Sequence, residues 1–288
     1  MPDEQAIARD VLTRAMVTAV TELEGFEGGI RVNAFDALHQ ARTRVRRMRS
    51  ILSVYSGVFE PGARRALRSR LAELGDLLGT ARDDEVRAAA LRERWEAADG
   101  EIAGAALHRL ADDASAVAVL SRAAVLDVVD SPRHRALLAD LRGFVGQASA
   151  GLDAAGPVTT LARRSLQRAG RAVGRAADLA ASTSDLDDLH AVRKAARRVR
   201  YAAEAVQQDV HGASALATTA EAVQDALGDH RDAVLLAGEL RSWSTHSQDA
   251  SSATVRDLAE SIEREAGDRL IGLDVLVSAI GRAAERLG

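Results

Sequence analysis

His39-Gln40-Ala41-Arg42-Thr43-Arg44-Val45-Arg46-Arg47-Met48-Arg49 has a counterpart displaced by 151 residues, from 39 to 190: His190-Ala191-Val192-Arg193-Lys194-Ala195-Ala196-Arg197-Arg198-Val199-Arg200. Both segments read H-x-x-R-x-x-x-R-R-x-R. Wound as an α-helix, positions i, i+3, i+7 and i+10 share a face, so His39, Arg42, Arg46 and Arg49 form a cationic row about 15 Å long. His190, Arg193, Arg197 and Arg200 repeat it. About a quarter-turn away runs an apolar stripe, Leu38, Ala41, Val45, Met48 and Leu52 in the first copy and Leu189, Val192, Ala196 and Val199 in the second. Each segment therefore reads as a helix that packs by one side and presents arginines beside it.

The same periodicity extends outward through most of the 288 residues, with no convincing period-two strand, and predicts an all-α chain. Helices are expected over 3–24, 34–56, 61–78, 82–98, 102–128, 132–152, 157–181, 186–211, 213–227, 229–243 and 253–287. Ser131-Pro132 reads as an N-cap followed by proline at the first helical position, Gly156-Pro157 as a break, and Gly79 and Gly228 as helix stops. A second pair of segments, Leu78-Gly79-Thr80-Ala81-Arg82-Asp83 and Leu227-Gly228-Asp229-His230-Arg231-Asp232, recurs at almost the same displacement as the histidine pattern. Two anchors in register indicate an internal duplication, with repeats at 1–152 and 153–288, each a small helical bundle. A two-lobed, pseudo-twofold body follows, and equivalent surfaces can face each other across its axis.

Composition narrows the function classes. The absence of cysteine excludes a disulfide framework, a thiolate metal site and thiol catalysis. No apolar run approaches the ~20 residues of a membrane span, and the first residues lack the basic start and apolar core of a signal peptide, so a cytoplasmic, membrane-free protein is expected. The net charge of −4 conceals strong segregation. Five arginines and no acid fall between His39 and Arg49, five more between Arg163 and Arg175, and four plus Lys194 between Arg193 and Arg200. A solvated helix face ordinarily intersperses acids at i±4, because like-charge neighbours cost a few tenths of a kcal/mol each. These rows go unrelieved, which points to an anionic ligand.

Arginine in particular suits phosphate, since its planar fork donates two hydrogen bonds and stays charged at physiological pH. Arg164, Arg168, Arg171 and Arg175, at i, i+4, i+7 and i+11, make a third row on the helix before the second pattern; Arg64 and Arg68 add a smaller pair. The helix that opens the first half carries only Arg9 and Arg14 amid acids, so the two halves are not expected to bind equally. His39 and His190 head their rows and read as phosphate ligands. Metal ligation, which the surrounding arginines would oppose, and phosphorylation of the ring are the rival roles. The other histidines, His108, His134, His211, His230 and His246, read as surface or capping residues, and of these only His230, next to Arg231, has a modest claim to the site. No G-x-x-x-x-G-K-[ST] loop occurs, and Asp83, Asp84 and Asp232 at helix starts are explained by the helix dipole, so no enzyme, metal or cofactor is expected. Phosphoryl transfer or polyphosphate processing, and weakly specific nucleic-acid binding, are the alternatives. Base recognition would require aromatic platforms, and Tyr201 is the only aromatic residue beside the rows.

These motifs resemble the CHAD family, the conserved histidine α-helical domain, which carries an early H-x-x-R-x-x-x-R-R-x-R-like pattern and a later one of the form H-x-x-R-K-x-x-[KR]-x-x-R-Y-x-x-E. Here the later one stands as His190, Arg193, Lys194, Arg197, Arg200, Tyr201 and Glu204. The two Leu-Gly-x-x-Arg-Asp segments are also similar to the family's, although Arg231 replaces a frequent asparagine. The resemblance covers nearly the whole chain, so no fused triphosphate-tunnel catalytic domain is expected within it. It implies two pseudo-twofold-related four-helix bundles around a basic central channel or groove that binds inorganic polyphosphate, and localisation to polyphosphate granules. The candidate ligands are His39, Arg42, Arg46, Arg47, Arg49, Arg82, Arg164, Arg168, Arg171, Arg175, His190, Arg193, Lys194, Arg197, Arg198, Arg200 and Arg231, richer on the side of the second copy.

Overall fold

In the computed structural model, residues 6–97, 101–147, 153–183, 185–246 and 252–287 are described. They form ten α-helices: α1 (Ala8–Arg31), α2 (Ala37–Val54), α3 (Pro61–Glu96), α4 (Glu101–Val129), α5 (Pro132–Gln147), α6 (Val158–Thr183), α7 (Leu186–Glu204), α8 (Ala213–His246), α9 (Ser252–Asp268) and α10 (Leu273–Glu285). No strand occurs among them, and the fold is all-α. The first five helices and the last five follow the same order, with long partners in third place: α3 has 36 residues and α8 has 34.

Three local expectations differ from the structure. Gly79 and Gly228 do not stop helices; each is buried inside a continuous helix, α3 or α8. Glycine costs only about 1 kcal/mol in a helix interior, which packing readily offsets, and a buried position without a Cβ favours close approach. The last expected helix is broken at Gly272, whose φ of 79° starts α10 after a turn. His134 and His230 are buried rather than superficial: His134 Nε2 lies 2.8 Å from Glu27 Oε1, and His230 Nδ1 lies 2.9 Å from the Ala266 carbonyl. The cap at Ser131 is as expected, its hydroxyl accepting from the His134 amide at 3.1 Å.

The chain forms two compact units. The first comprises 1–76, 128–225 and 272–288, the second 77–127 and 226–271. This division differs from that between the repeats: each unit takes equivalent segments from both halves, and the cuts at 76/77 and 225/226 fall just before the two Leu-Gly segments. In the second unit, Leu91, Leu107, Leu110, Leu240, Val255 and Ile262 form a core with alanines between them, and Trp95 and Trp243 pack against it.

Within the first unit, α2 packs against α1 and α7, and α6 packs against α7 and α10. The equivalent helices α1 and α6 start together: the Ala8 amide donates to Gly156 and the Val158 amide to Ala6, both at 2.9 Å. The apolar stripes drive this arrangement. Leu38, Ala41, Val45, Met48, Leu52, Val192, Ala196 and Val199 are all buried; Leu189 is half-buried. Gly75 of α3 lets that helix pass close to α2, since a Cβ there would come within 3.2 Å of both Val45 Cγ1 and Arg49 Nη1. Tyr55, fully buried at the end of α2, donates at 2.8 Å to the Ala202 carbonyl near the end of α7. It satisfies a carbonyl in the last turn, where no intrahelical partner exists. Tyr55→Phe should therefore cost about 1–3 kcal/mol in chemical denaturation without changing the helix content measured by circular dichroism.

Candidate anion-binding site

Packing α2 on α7 brings the two arginine rows together, because each row borders the buried stripe of its own helix. Arg46 and Arg197 hold the same place in the two copies, and each lies within electrostatic reach of the other copy's arginines. The Arg46 guanidinium is held well below its ordinary pKa, first by burial and then by the charges of Arg197, Arg42 and Arg193; Tyr201 acts in the opposite sense. Arg197 is lowered likewise, by burial and by Arg193, Arg42 and Arg49, again with Tyr201 opposing. Arg68 on α3 is lowered by partial burial and by Arg64, Arg49 and Arg198. Arg42, Arg46, Arg49, Arg64, Arg68, Arg193, Arg197 and Arg198 thus form one cluster, drawn from α2, α3 and α7, in which guanidinium charges repel at short range.

Other members of the rows are held by partners. Arg47 pairs with Glu204 at 2.5 Å, and Arg200 with the same carboxylate at 2.9 Å and with Glu221 at 2.6 Å. Arg200 also lies over the Tyr201 ring, 5.3 Å from its centroid. Arg44 bonds Glu22, and Arg49 lies 4.0 Å from the exposed Asp76. Arg193 Nε donates to the Gln224 carbonyl at 3.3 Å. His39 and His190 are half-buried near the starts of α2 and α7.

On α6, Arg164 pairs with Asp153 at 2.7 Å, while Arg168 and Arg175 are exposed and line a groove with Arg198, Ser53 and Ser165. Arg171 and Lys194 are exposed outside that lining. Arg82 and Arg231 belong to the second unit, where Arg82 lies 3.2 Å from Glu85 and Arg231 lies 3.8 Å from Asp83. Sequence reasoning gave Arg64 and Arg68 a minor part, yet they stand inside the cluster. Their Nε atoms are buried, and neither has a hydrogen-bond partner among the described residues. Ser53 and Ser165 were missed; the available signal was that Ser53 stands where the second copy has Glu204.

A family model described as the CHAD domain matches residues 14–241. The chain belongs to the CHAD domain family, known in general for binding polyphosphate. Among curated relatives, the uncharacterized proteins Rv2226 and MT2285 of two Mycobacterium tuberculosis strains are each 30% identical over 239 residues, which is 82% of this chain. The chain spans 46% of their length. Two solved structures share the fold. The CHAD domain of the plant Ricinus communis has a TM-score of 0.67 at 23% identity, covering 99% of this chain and 94% of that one. PptA from Streptomyces chartreusis has a TM-score of 0.69 at 17% identity, covering 96% and 100%. No described helix is long and apolar enough to cross a membrane.

The cluster's chemistry follows from its repulsion. Folding lowers the proton affinity of Arg46 and Arg197, so the folded state holds their charges at a cost. That cost is present in full below their folded values and is relieved as pH climbs from there toward the ordinary arginine value. At neutral pH guanidinium stays charged, and a bound anion is the available relief. Arg46→Met should therefore raise the stability of the anion-free protein by about 1–2 kcal/mol in urea denaturation in phosphate-free buffer. A loss of stability would mean that the cluster is not under strain.

Proposed function

We propose that this protein binds inorganic polyphosphate, without catalysis, along the arginine cluster of α2, α3 and α7. The single observation that carries this reading is that Arg46 and Arg197, equivalent and half-buried arginines, each stand among further arginines whose charges lower their proton affinity. A monovalent ion would relieve one charge and leave the rest opposed. A linear polyanion supplies roughly one charge per phosphate along an extended path, which suits a row better than a compact pocket does. Release of its condensed counterions drives binding and makes affinity fall linearly with the logarithm of salt concentration.

The family's general association with polyphosphate supports the same ligand. Nucleic acid fits less well, since Tyr201, the aromatic residue beside the rows, is 2% exposed and offers no stacking platform for a base. His39 and His190 extend the rows as further phosphate ligands, and Arg47 and Arg200 act through Glu204 to fix the two helices. Localisation at polyphosphate granules in the cytoplasm is part of the same proposal.

Titration of the protein with polyphosphates of defined length, beside DNA of matched charge, tests the reading. Long polyphosphate should bind more tightly than DNA, with no release of orthophosphate. Arg46→Ala, Arg193→Ala and Arg197→Ala combined should reduce the slope of log affinity against log salt by about 2–3. Equal affinity for DNA, or an unchanged slope, would defeat it.

A further inference from the structure

The duplication produces two equivalent grooves in the first unit. One is lined by Val11, Arg14, Ala15 and Thr18 of α1 with Arg47 and Glu204; the other by Ser165, Arg168, Ala169 and Ala172 of α6 with Arg198 and Ser53. The α1 and α6 sets correspond residue by residue at a displacement of 154. Arg47 matches Arg198, and Glu204 matches Ser53, at the 151 of the histidine pattern. Their volumes, 220 and 290 Å³, are similar, so charge rather than space separates them.

In the α1 groove each arginine is neutralised from the second half of the chain. Arg14 donates to Asp209 at 2.8 and 3.0 Å, and Arg47 to Glu204 at 2.5 Å. Both carboxylates are largely covered, with side-chain exposures of 14% and 15%. In the α6 groove the equivalents of those acids are Ser53 and, for Asp209, the apolar Val58 or its neighbour Phe59. No carboxylate is among its lining residues. Arg175, which corresponds to Thr21, adds a further cation. Arg198 joins the groove to the central cluster, because its charge acts on Arg68.

We propose that the two grooves are a plugged and an open form of one anion port. Glu204 and Asp209 occupy in the α1 groove the places that phosphates take in the α6 groove, so a phosphate chain leaves the cluster in one direction only, past Arg198, Arg168 and Arg175. This rests on the polyphosphate reading above and adds a polarity to it. Ser53 and Ser165 line the open port and supply hydroxyl donors for phosphate oxygens.

The test compares four proteins by salt-dependent titration with long inorganic polyphosphate. They are the wild type, Arg168→Glu with Arg175→Glu, Glu204→Gln with Asp209→Asn, and the quadruple variant. The α6 pair is exposed, so its reversal leaves the core intact and should lower the slope of log affinity against log salt by about 2. The near-isosteric Gln and Asn replacements release Arg14 and Arg47, and should raise the slope by a similar amount. The quadruple variant should recover binding close to wild type, because the chain then leaves through the other groove. Wild-type slope in the α6 variant, or no recovery in the quadruple variant, overturns the port while leaving polyphosphate binding intact. Absence of salt-dependent binding by the wild type overturns both readings. Thermal melting of each variant separates misfolding from loss of ligand, and the α6 pair alone decides the open port if the Glu204 variant does not fold.

Discussion

Repulsion between Arg46 and Arg197 is the constraint around which the first unit is arranged. Each arginine sits beside the apolar stripe of its helix, and burying Val45, Met48, Val192 and Val199 forces the two charges together. Hydrophobic burial, at about 25 cal/mol per Å² of apolar surface, supplies the work of bringing them close. The hydrogen bond from Tyr55 to Ala202 and the Glu204 carboxylate shared by Arg47 and Arg200 hold the helix ends against that repulsion. The result is a cluster of like charges built by the same packing that makes the core.

How much of this was legible in the sequence depends on the range of the interaction. The apolar and cationic stripes are helix-periodic, so both the α2 and α7 helices and their packed sides could be read from residue spacing. The duplication was visible as well, and five helices in each half follow the same order. Gly79 and Gly228 misled because local propensity marks a glycine as a stop, while the burial that overrides it is a tertiary matter. Arg64 and Arg68 were noticed as an i, i+4 pair, but their weight comes from lying beside Arg49 and Arg198, which spacing does not reveal. Most hidden was the pairing of Arg47 with Glu204, across 157 residues of chain.

The candidate list sorts into charges of different kinds. Arg46 and Arg197 are half-buried among like charges; Arg168, Arg175 and Arg198 line an open groove; Arg47, Arg164 and Arg200 are tied to carboxylates. The more exposed Arg164–Asp153 pair contributes little to stability, typically up to about 1 kcal/mol, whereas the half-buried pairs on Glu204 tie two helices together; in both kinds the carboxylate cancels the local field of its arginine. A count of arginines along a helix therefore overstates the cations on offer. What matters is where acids enter: Glu204 and Asp209 line the α1 groove, and no carboxylate lines the α6 groove.

The substitution of Ser53 for Glu204 in the matching position has a meaning for how such a protein can evolve. Were the two halves separate, identical subunits of a homodimer, any change at this position would appear on both sides of the axis. Covalent fusion removes that coupling. The second half is then free to acquire an acid that covers Arg47 of the first and locks two helices together, while its own Arg198 faces Ser53 in a groove without carboxylates, and an assembly with equal ends becomes one with a front and a back.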